Sequence, residues 1–332
     1  MEQKNNESLK MWQSFKDLSI NELIQIYNKL NIKFDIYESE SEYYLLAKEY
    51  VQRLLSKGIA KRLENDAIEV NFKNIKYIIQ KKDQSTLYIS RDLAALVERK
   101  KKYNFSKIIY VVDSSQKDHF FKLYETVNHF DSECLKNISY QEFYVPFGRL
   151  TNMSTRRGKI EFLNDLIDEA KQVALESMED LKIKKNVENI EYTAQILGNS
   201  HLIITDLARP RLKDYEFSWK NIVSKDESAF MCHYSHARLY NLIDKCKKEL
   251  NIEPNLKESD LSYLKSNIEL ALIQHLGRFD DVLWMAYQDY EPYHIVQYLF
   301  QLVRLTNNCM SEKYVIGQDV KTAQVFISFF FP

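Results

Sequence analysis

Twelve consecutive residues, Phe147-Gly148-Arg149-Leu150-Thr151-Asn152-Met153-Ser154-Thr155-Arg156-Arg157-Gly158, hold two glycines, three arginines and three hydroxyls. A loop of that make-up suits a polyphosphate. Hydroxyls and backbone amides donate to phosphate oxygens, and guanidinium groups carry the opposing charge. The loop contains neither GxxxxGK[ST] nor GxGxxG, so both common phosphate cradles are missing. An exposed basic turn between two domains is the plainer reading of the same residues. A second set, Tyr88, Asp92 and Gln116, falls where strands are expected to end. A carboxylate opening a helix can hold a cation through charge-assisted hydrogen bonds. With a tyrosine four residues earlier it builds a pocket for a guanidinium or an amine. The plainer alternatives are an N-cap for Asp92 and core packing for Tyr88.

The elements that must position these groups can be read from periodicity. Residues 8–30 have a helical pattern, with a capping box at Ser19-Ile20-Asn21-Glu22. Ile32 to Tyr37 alternates as a short strand. Ser39-Glu40-Ser41-Glu42 caps a helix that Gly58 ends. Ala67–Val70 and Ile75–Gln80 are strand-like. Thr86–Ser90 reads as a strand leading through Arg91-Asp92 into a helix. Lys107–Asp113 reads as a buried strand leading through Ser114-Ser115-Gln116 into a helix from Lys117 to His129. That order predicts a right-handed βαβ unit of a doubly wound parallel sheet, with ligands beyond the carboxyl ends of its strands. Tyr144–Phe147 is a further short strand, delivering the basic loop to the same edge. After Gly158 the pattern turns helical: from Phe162 past 180, Glu191 to Ala208, Ala229 to Leu250, then about 258–286 and 291–309. Phe217-Ser218-Trp219 reads as an apolar contact inside a loop.

Bulk properties narrow the function classes. The 332 residues are 45% hydrophobic and 28% charged, enough to fill the cores of two or three domains. Six glycines and five prolines disfavour turn-rich all-β architectures. A net charge of −1 leaves no global basic field, so a nucleic acid would meet local patches: Lys100–Lys102, Arg149 with Arg156-Arg157, and Lys182 with Lys184-Lys185. The 22 tyrosines and 18 phenylalanines offer stacking surfaces beyond what the cores consume. Cys134, Cys232, Cys246 and Cys309 are scattered and read as free thiols. His233 and His236 lack a third ligand close by, so no metal site is expected. No apolar window reaches membrane-spanning length. The polar, acidic start reads as neither a signal nor a transit peptide.

Three segments together resemble the arginyl-tRNA synthetase family: Thr86–Ala95, Tyr110–Phe120 and Met153–Gly158. Asp214–Trp219, Tyr234–Leu239 and Gln274–Asp280 follow in the same order, so the likeness runs over about residues 10–310, and Trp12–Ser19 is similar to the mitochondrial form. The resemblance implies an α/β then all-α chain: the later part of a class I Rossmann-like catalytic domain with a KMSKS-like loop (1–165), a helical tRNA stem-contact region (166–227), and a helical DALR-type anticodon-binding domain (228–332). It implies an arginine–tRNA ligase working through arginyl-adenylate. Arginine would be held by Tyr88, Asp92 and Gln116, and ATP by Phe147, Gly148, Met153 and Ser154. Catalytic roles would fall to Ser154, Thr155, Arg156 and Arg157, and tRNA contacts to Tyr234 and Arg238. ATP with Mg2+, tRNA-Arg and arginine are the implied partners, with no organic cofactor, no membrane, a monomer, and the mitochondrial matrix (or the cytoplasm) as location. Three departures accompany it. No His-x-Gly-His occurs, from which a fragment inactive alone is expected, or else a non-catalytic tRNA-binding module. Asn152-Met153-Ser154-Thr155 lacks both lysines of KMSKS, with Arg156 and Arg157 placed to compensate. Val325–Pro332 reads as an exposed hydrophobic run, an aberrant end prone to aggregation.

Overall fold

A computed structural model describes residues 6–72, 74–151, 154, 155, 158, 159, 162–180, 187–216, 227–255, 262, 264, 266–312 and 314–330. The chain divides into two compact units, Met1–Arg149 and Leu150–Pro332.

The first unit opens with helix α1 (Asn6–Lys29). Ser19 sits in its interior, so the Ser19-x-x-Glu22 box is not used: an unbroken helix leaves no free amides there to cap. Ile32–Tyr37 is irregular, not a strand, and among the described residues no strand pairs with it. The box at Ser39 does form, with the Ser39 amide donating to Glu42 Oε1 at 3.2 Å. It leads into α2 (Tyr44–Ser56), and Gly58 follows that helix at φ +71°, where a side chain would be strained. Strands β1 (Ala60–Arg62), β2 (Ile68–Phe72) and β3 (Ile75–Gln80) make an antiparallel sheet in that order. Alternation along β2 buries Ile68, Val70 and Phe72.

Thr86–Ser90 departs from expectation. Thr86 makes one bridge to Gln80, and helix α3 (Tyr88–Tyr103) starts immediately after Leu87. Ser90 decides this. Its hydroxyl accepts from the Leu87 amide at 3.0 Å and reaches the Ile79 carbonyl at 2.7 Å, tying the first turn to β3. Asp92 is therefore one turn inside a helix rather than its N-cap, and Tyr88 and Asp92 share a face at i and i+4. Left-handed Asn104 (φ 43°) ends α3. The parallel unit also comes one step later than expected. With Thr86–Ser90 drawn into the start of α3, β4 (Tyr110–Asp113) pairs not with that segment but with β5 (Tyr144–Phe147), in register from Tyr110↔Tyr144 to Asp113↔Phe147. The crossover between them runs through α4 (Lys117–Phe130) and the short α5 (Tyr140–Phe143). Leu54, Ile68, Ile79, Leu93, Leu96, Leu123 and Phe143 form one buried core that fixes α3 and α4 against both sheets.

In the second unit β6 (Leu150–Thr151) pairs in parallel with β9 (Tyr215–Glu216), and β7 (Ser154–Thr155) pairs antiparallel with β8 (Gly158–Lys159). Helices α6 (Leu163–Asp180) and α7 (Ile190–Leu207) pack closely. Next come α8 (Ala229–Lys245), continued by one wide turn over Cys246–Leu250, then α9 (Asn267–Leu276), α10 (Phe279–Asp289), α11 (Tyr293–Glu312) and α12 (Val320–Phe330). The single helix expected over 258–286 is two, split at Gly277-Arg278. Asp280 and Asp281 lie in the first turn of α10, where the helix dipole favours negative charge. The run from Val325 is not an exposed end. Val325, Phe326, Ile327, Ser328 and Phe329 are buried, and Asp319 caps α12 by accepting from the Lys321 and Thr322 amides at 3.1 Å each. Ile327 and Phe326 pack with Cys246, Ile252, Val315 and Ala323, and Phe329 with Leu272 and Cys309. Among the described residues no helix is long and apolar enough to cross a membrane.

Candidate active site

At the start of α3 Tyr88 is 67% exposed, and its hydroxyl makes no hydrogen bond among the described residues. One turn later Asp92 meets α4. Its Oδ2 lies 2.7 Å from His119 Nε2, with the two side chains 30% and 26% exposed. Among the described residues Asp92 Oδ1 has no hydrogen-bond partner. Gln116 stands just before α4, exposed, and its side chain does not cap that helix. His119 follows three residues on, so the helical repeat puts it on the side Gln116 faces. The starts of α3 and α4 thus carry Tyr88, Asp92, Gln116 and His119 together, with polar atoms left over for a ligand. The contact brings His119, which the sequence reading does not single out, into the candidate site. Its spacing of three from Gln116 on a predicted helix was the available signal.

The floor beneath them is rigid. Tyr110 packs against Phe120 and Phe143 with ring centroids 4.9 Å apart in each case, and burial pushes its phenol up to about 12. Arg99 Nη1 reaches the Tyr110 hydroxyl at 3.4 Å, while Arg99 Nε donates to Glu38 at 2.7 Å. At the carboxyl end of β4, Asp113 accepts from the Ser115 amide at 2.7 Å. It also takes Arg149 in a forked contact, Nε to Oδ2 at 3.0 Å and Nη2 to Oδ1 at 3.2 Å. The Arg149 guanidinium, then Ser115, hold the Asp113 carboxyl far below the usual carboxylate range.

The basic loop leaves from this edge. Phe147 is 41% exposed at the end of β5, level with Asp113, and Gly148 follows it. In the second unit Ser154 and Thr155 pair with Lys159 and Gly158. Met153, Arg156 and Arg157 lie outside the described residues. The helical domain carries the other two expected contacts on one face of α8. Phe230 stacks on Tyr234 at 5.9 Å and 12°, and the Arg238 guanidinium lies 5.7 Å from the Tyr234 ring centre. Arg238 Nη1 donates to Asn307 at 3.0 Å, and Asn307 donates to Ser235 at 2.7 Å, so the arginine is anchored to α11. Phe230, Tyr234 and Arg238 are spaced four apart, an aromatic and cationic stripe along the helix. Phe217–Trp219 lie outside the described residues. Among the described residues no group of histidine, cysteine and carboxylate side chains is placed to hold a metal ion.

Two family models match in tandem. The catalytic domain of class I tRNA synthetases (R) matches residues 1–219, and the DALR anticodon binding domain matches residues 232–325. The probable mitochondrial arginine–tRNA ligase of Bos taurus is 35% identical over 305 residues, covering 90% of this chain and 51% of the relative. The cytoplasmic arginine–tRNA ligase of Saccharomyces cerevisiae is 32% identical over 333 residues, covering 97% and 53%. The crystal structure of Plasmodium falciparum arginyl-tRNA synthetase superposes with a TM-score of 0.78 at 20% identity, covering 99% of this chain and 56% of that one, a likeness of fold. Fold and matches define a class I synthetase catalytic domain followed by a DALR anticodon-binding domain. The chain belongs to the arginyl-tRNA synthetase family. It spans about half the length of the curated relatives it matches.

Proposed function

We propose that this chain works in arginine–tRNA ligation, supplying the arginine side-chain pocket, the ATP-closing loop and the tRNA-binding helices. The observation that carries this is the group at the starts of α3 and α4. A planar cation finds a half-buried carboxylate with one free oxygen beside an exposed tyrosine ring and an uncommitted glutamine amide. That chemistry selects a guanidinium: a fork of N–H donors for the carboxylate and amide oxygens, and a flat face for the ring. Tyr88, Asp92 and Gln116 are the arginine contacts in this reading.

In the reaction an arginine carboxylate oxygen attacks the α-phosphorus of ATP, and the bond to the β-phosphate oxygen breaks to release pyrophosphate. The 3′-terminal ribose hydroxyl of tRNA-Arg then attacks the acyl carbon of arginyl-adenylate and releases AMP. ATP binding is assigned in this reading to Phe147, Gly148, Met153 and Ser154. Ser154, Thr155, Arg156 and Arg157 stabilise the charge that builds on the departing pyrophosphate. Mg2+ enters with the ATP phosphates, as it does for phosphate-bound magnesium generally. Residues 1–165 serve catalysis, 166–227 the tRNA stem and 228–332 the anticodon, with Tyr234 and Arg238 at the RNA. The working form is a monomer in the mitochondrial matrix. Isothermal titration of the chain with arginine, and with citrulline as its neutral isostere, tests the pocket. Arginine binding that Asp92→Asn weakens strongly but measurably is expected, and equal affinity for the two amino acids sinks the reading. Binding to tRNA-Arg is expected to weaken steeply with salt, as phosphate contacts require.

A further inference from the structure

The pairing of Asp92 with His119 is used by none of the three arginine contacts above, and it has a chemical consequence. An ionised carboxylate only accepts hydrogen bonds, so the 2.7 Å contact requires the proton of the imidazole to sit on Nε2. That bond occupies Oδ2 and leaves Oδ1 as the acceptor facing away from His119. The two groups come from different helices, both fixed in the same core by Leu93, Leu96, Phe120 and Leu123. The ring of His119 is itself braced edge-on against Phe120, with centroids 5.1 Å apart at 80°. A carboxylate two bonds from its backbone would otherwise rotate freely about its last torsion, because no other side chain among the described residues bonds to it.

We propose that His119 is a positioning residue for cation recognition. Its Nε2–H clamps Asp92 Oδ2 across the α3–α4 junction, so that Oδ1 is presented in one orientation to the guanidinium of arginine. The inference rests on the proposed arginine pocket and adds to it the group that orients its carboxylate. A ligand that already carries its positive charge gains from a pre-aimed anion, since no carboxylate rotamer has to be fixed on binding. A neutral isostere gains little. His119 does not touch the ligand in this scheme, and its effect passes entirely through Asp92.

The test is calorimetric titration of the chain with arginine and with citrulline, for the wild type, His119→Ala, His119→Gln, Asp92→Asn and the His119→Ala/Asp92→Asn double variant. Thermal melts confirm that each variant is folded. His119→Ala is expected to raise the Kd for arginine about tenfold, in the range of one hydrogen bond to a charged group, and to leave citrulline unchanged. His119→Gln keeps a donor in reach of Oδ2 and should restore most of the loss. In the Asp92→Asn background His119→Ala should have no further effect. The inference is overturned if His119→Ala leaves arginine binding intact while Asp92→Asn weakens it, a result that spares the pocket. It is equally overturned if His119→Ala weakens arginine and citrulline alike, or weakens binding by the same factor with and without Asp92. A wild-type chain that binds no arginine, or an Asp92→Asn variant that binds it normally, overturns pocket and inference together.

Discussion

Gly198 sits in the middle of α7, where an alanine would raise helix propensity by about 1 kcal/mol. Packing reverses that sign. A Cβ built on Gly198 meets the carbonyl carbon and oxygen of Ala170 at 2.7 Å and the Lys171 amide nitrogen at 2.8 Å, all backbone atoms of α6. Those positions are about 0.7 Å inside the 3.4 Å at which ordinary contact begins. No side chain can swing aside, so α6 and α7 must separate along a seam that includes the buried Ala174, Met178 and Ala194. Overpacking of this kind costs roughly 1–3 kcal/mol, and more when backbone has to move. Because only backbone can give way, the cost is taken at the upper end of that range, about 3 kcal/mol; set against the propensity gain of about 1 kcal/mol, Gly198→Ala should lose about 2 kcal/mol net, or about 4–8 °C in Tm for a unit of this size. Thermal and urea unfolding followed by circular dichroism would read it. Adding Ala170→Gly should not rescue the variant, because the clash is with the Ala170 backbone and not with its methyl group. A Gly198→Ala variant as stable as the wild type would refute the reasoning, since propensity would then have outweighed a contact no rotamer can relieve.

Three further outcomes are expected. Ile327→Ala, in the fully buried face of α12, should cost about 2–4 kcal/mol in urea unfolding, whereas a neutral effect would mean that the apolar run is not core after all. His201 is buried against solvent, and desolvation pushes its imidazole down to about 4. The unfolded chain therefore takes up a proton near pH 6.5 that the folded chain refuses. Stability is full above that value and falls as the pH drops towards 4, with His201 alone removing about 2 kcal/mol between pH 7 and pH 5. His201→Gln should flatten the stability–pH curve in that window, and an unchanged slope would show the ring is not desolvated. In the proposed RNA contact, Tyr234→Ala should weaken tRNA binding roughly tenfold, as the loss of one stacked base does, while Tyr234→Phe keeps it. Filter binding at fixed salt would separate the two, and equal loss in both variants would argue against stacking.

The periodic parts of the chain are legible in the order of its residues. The Ser39 box, the turn at Gly58, β2 and β3, and the helices at α4, α6, α7 and α11 follow from spacing and caps that act within a few residues. So do the types of residue in the candidate site, because a tyrosine, a carboxylate and an amide suited to a guanidinium are visible wherever they are placed. What spacing did not reveal depends on contacts between distant segments. Thr86–Ser90 has the composition of a strand, yet Ser90 bonds to Ile79, eleven residues away, and that contact turns the segment into the first turn of α3. Asp92 consequently moves from a cap to a helix face, beside Tyr88. Val325–Phe329 reads as a sticky tail until Cys246, Ile252 and Leu272, more than fifty residues earlier, are seen to cover it. The role proposed for His119 exists only because α4 lies across α3. The sequence by itself determined which side chains could recognise a cation or a phosphate and where most helices begin. Tertiary structure alone decided which of those side chains meet, because hydrogen bonds and burial act through space, and only the packed core brings α3 and α4 within 2.7 Å of one another at Asp92 and His119.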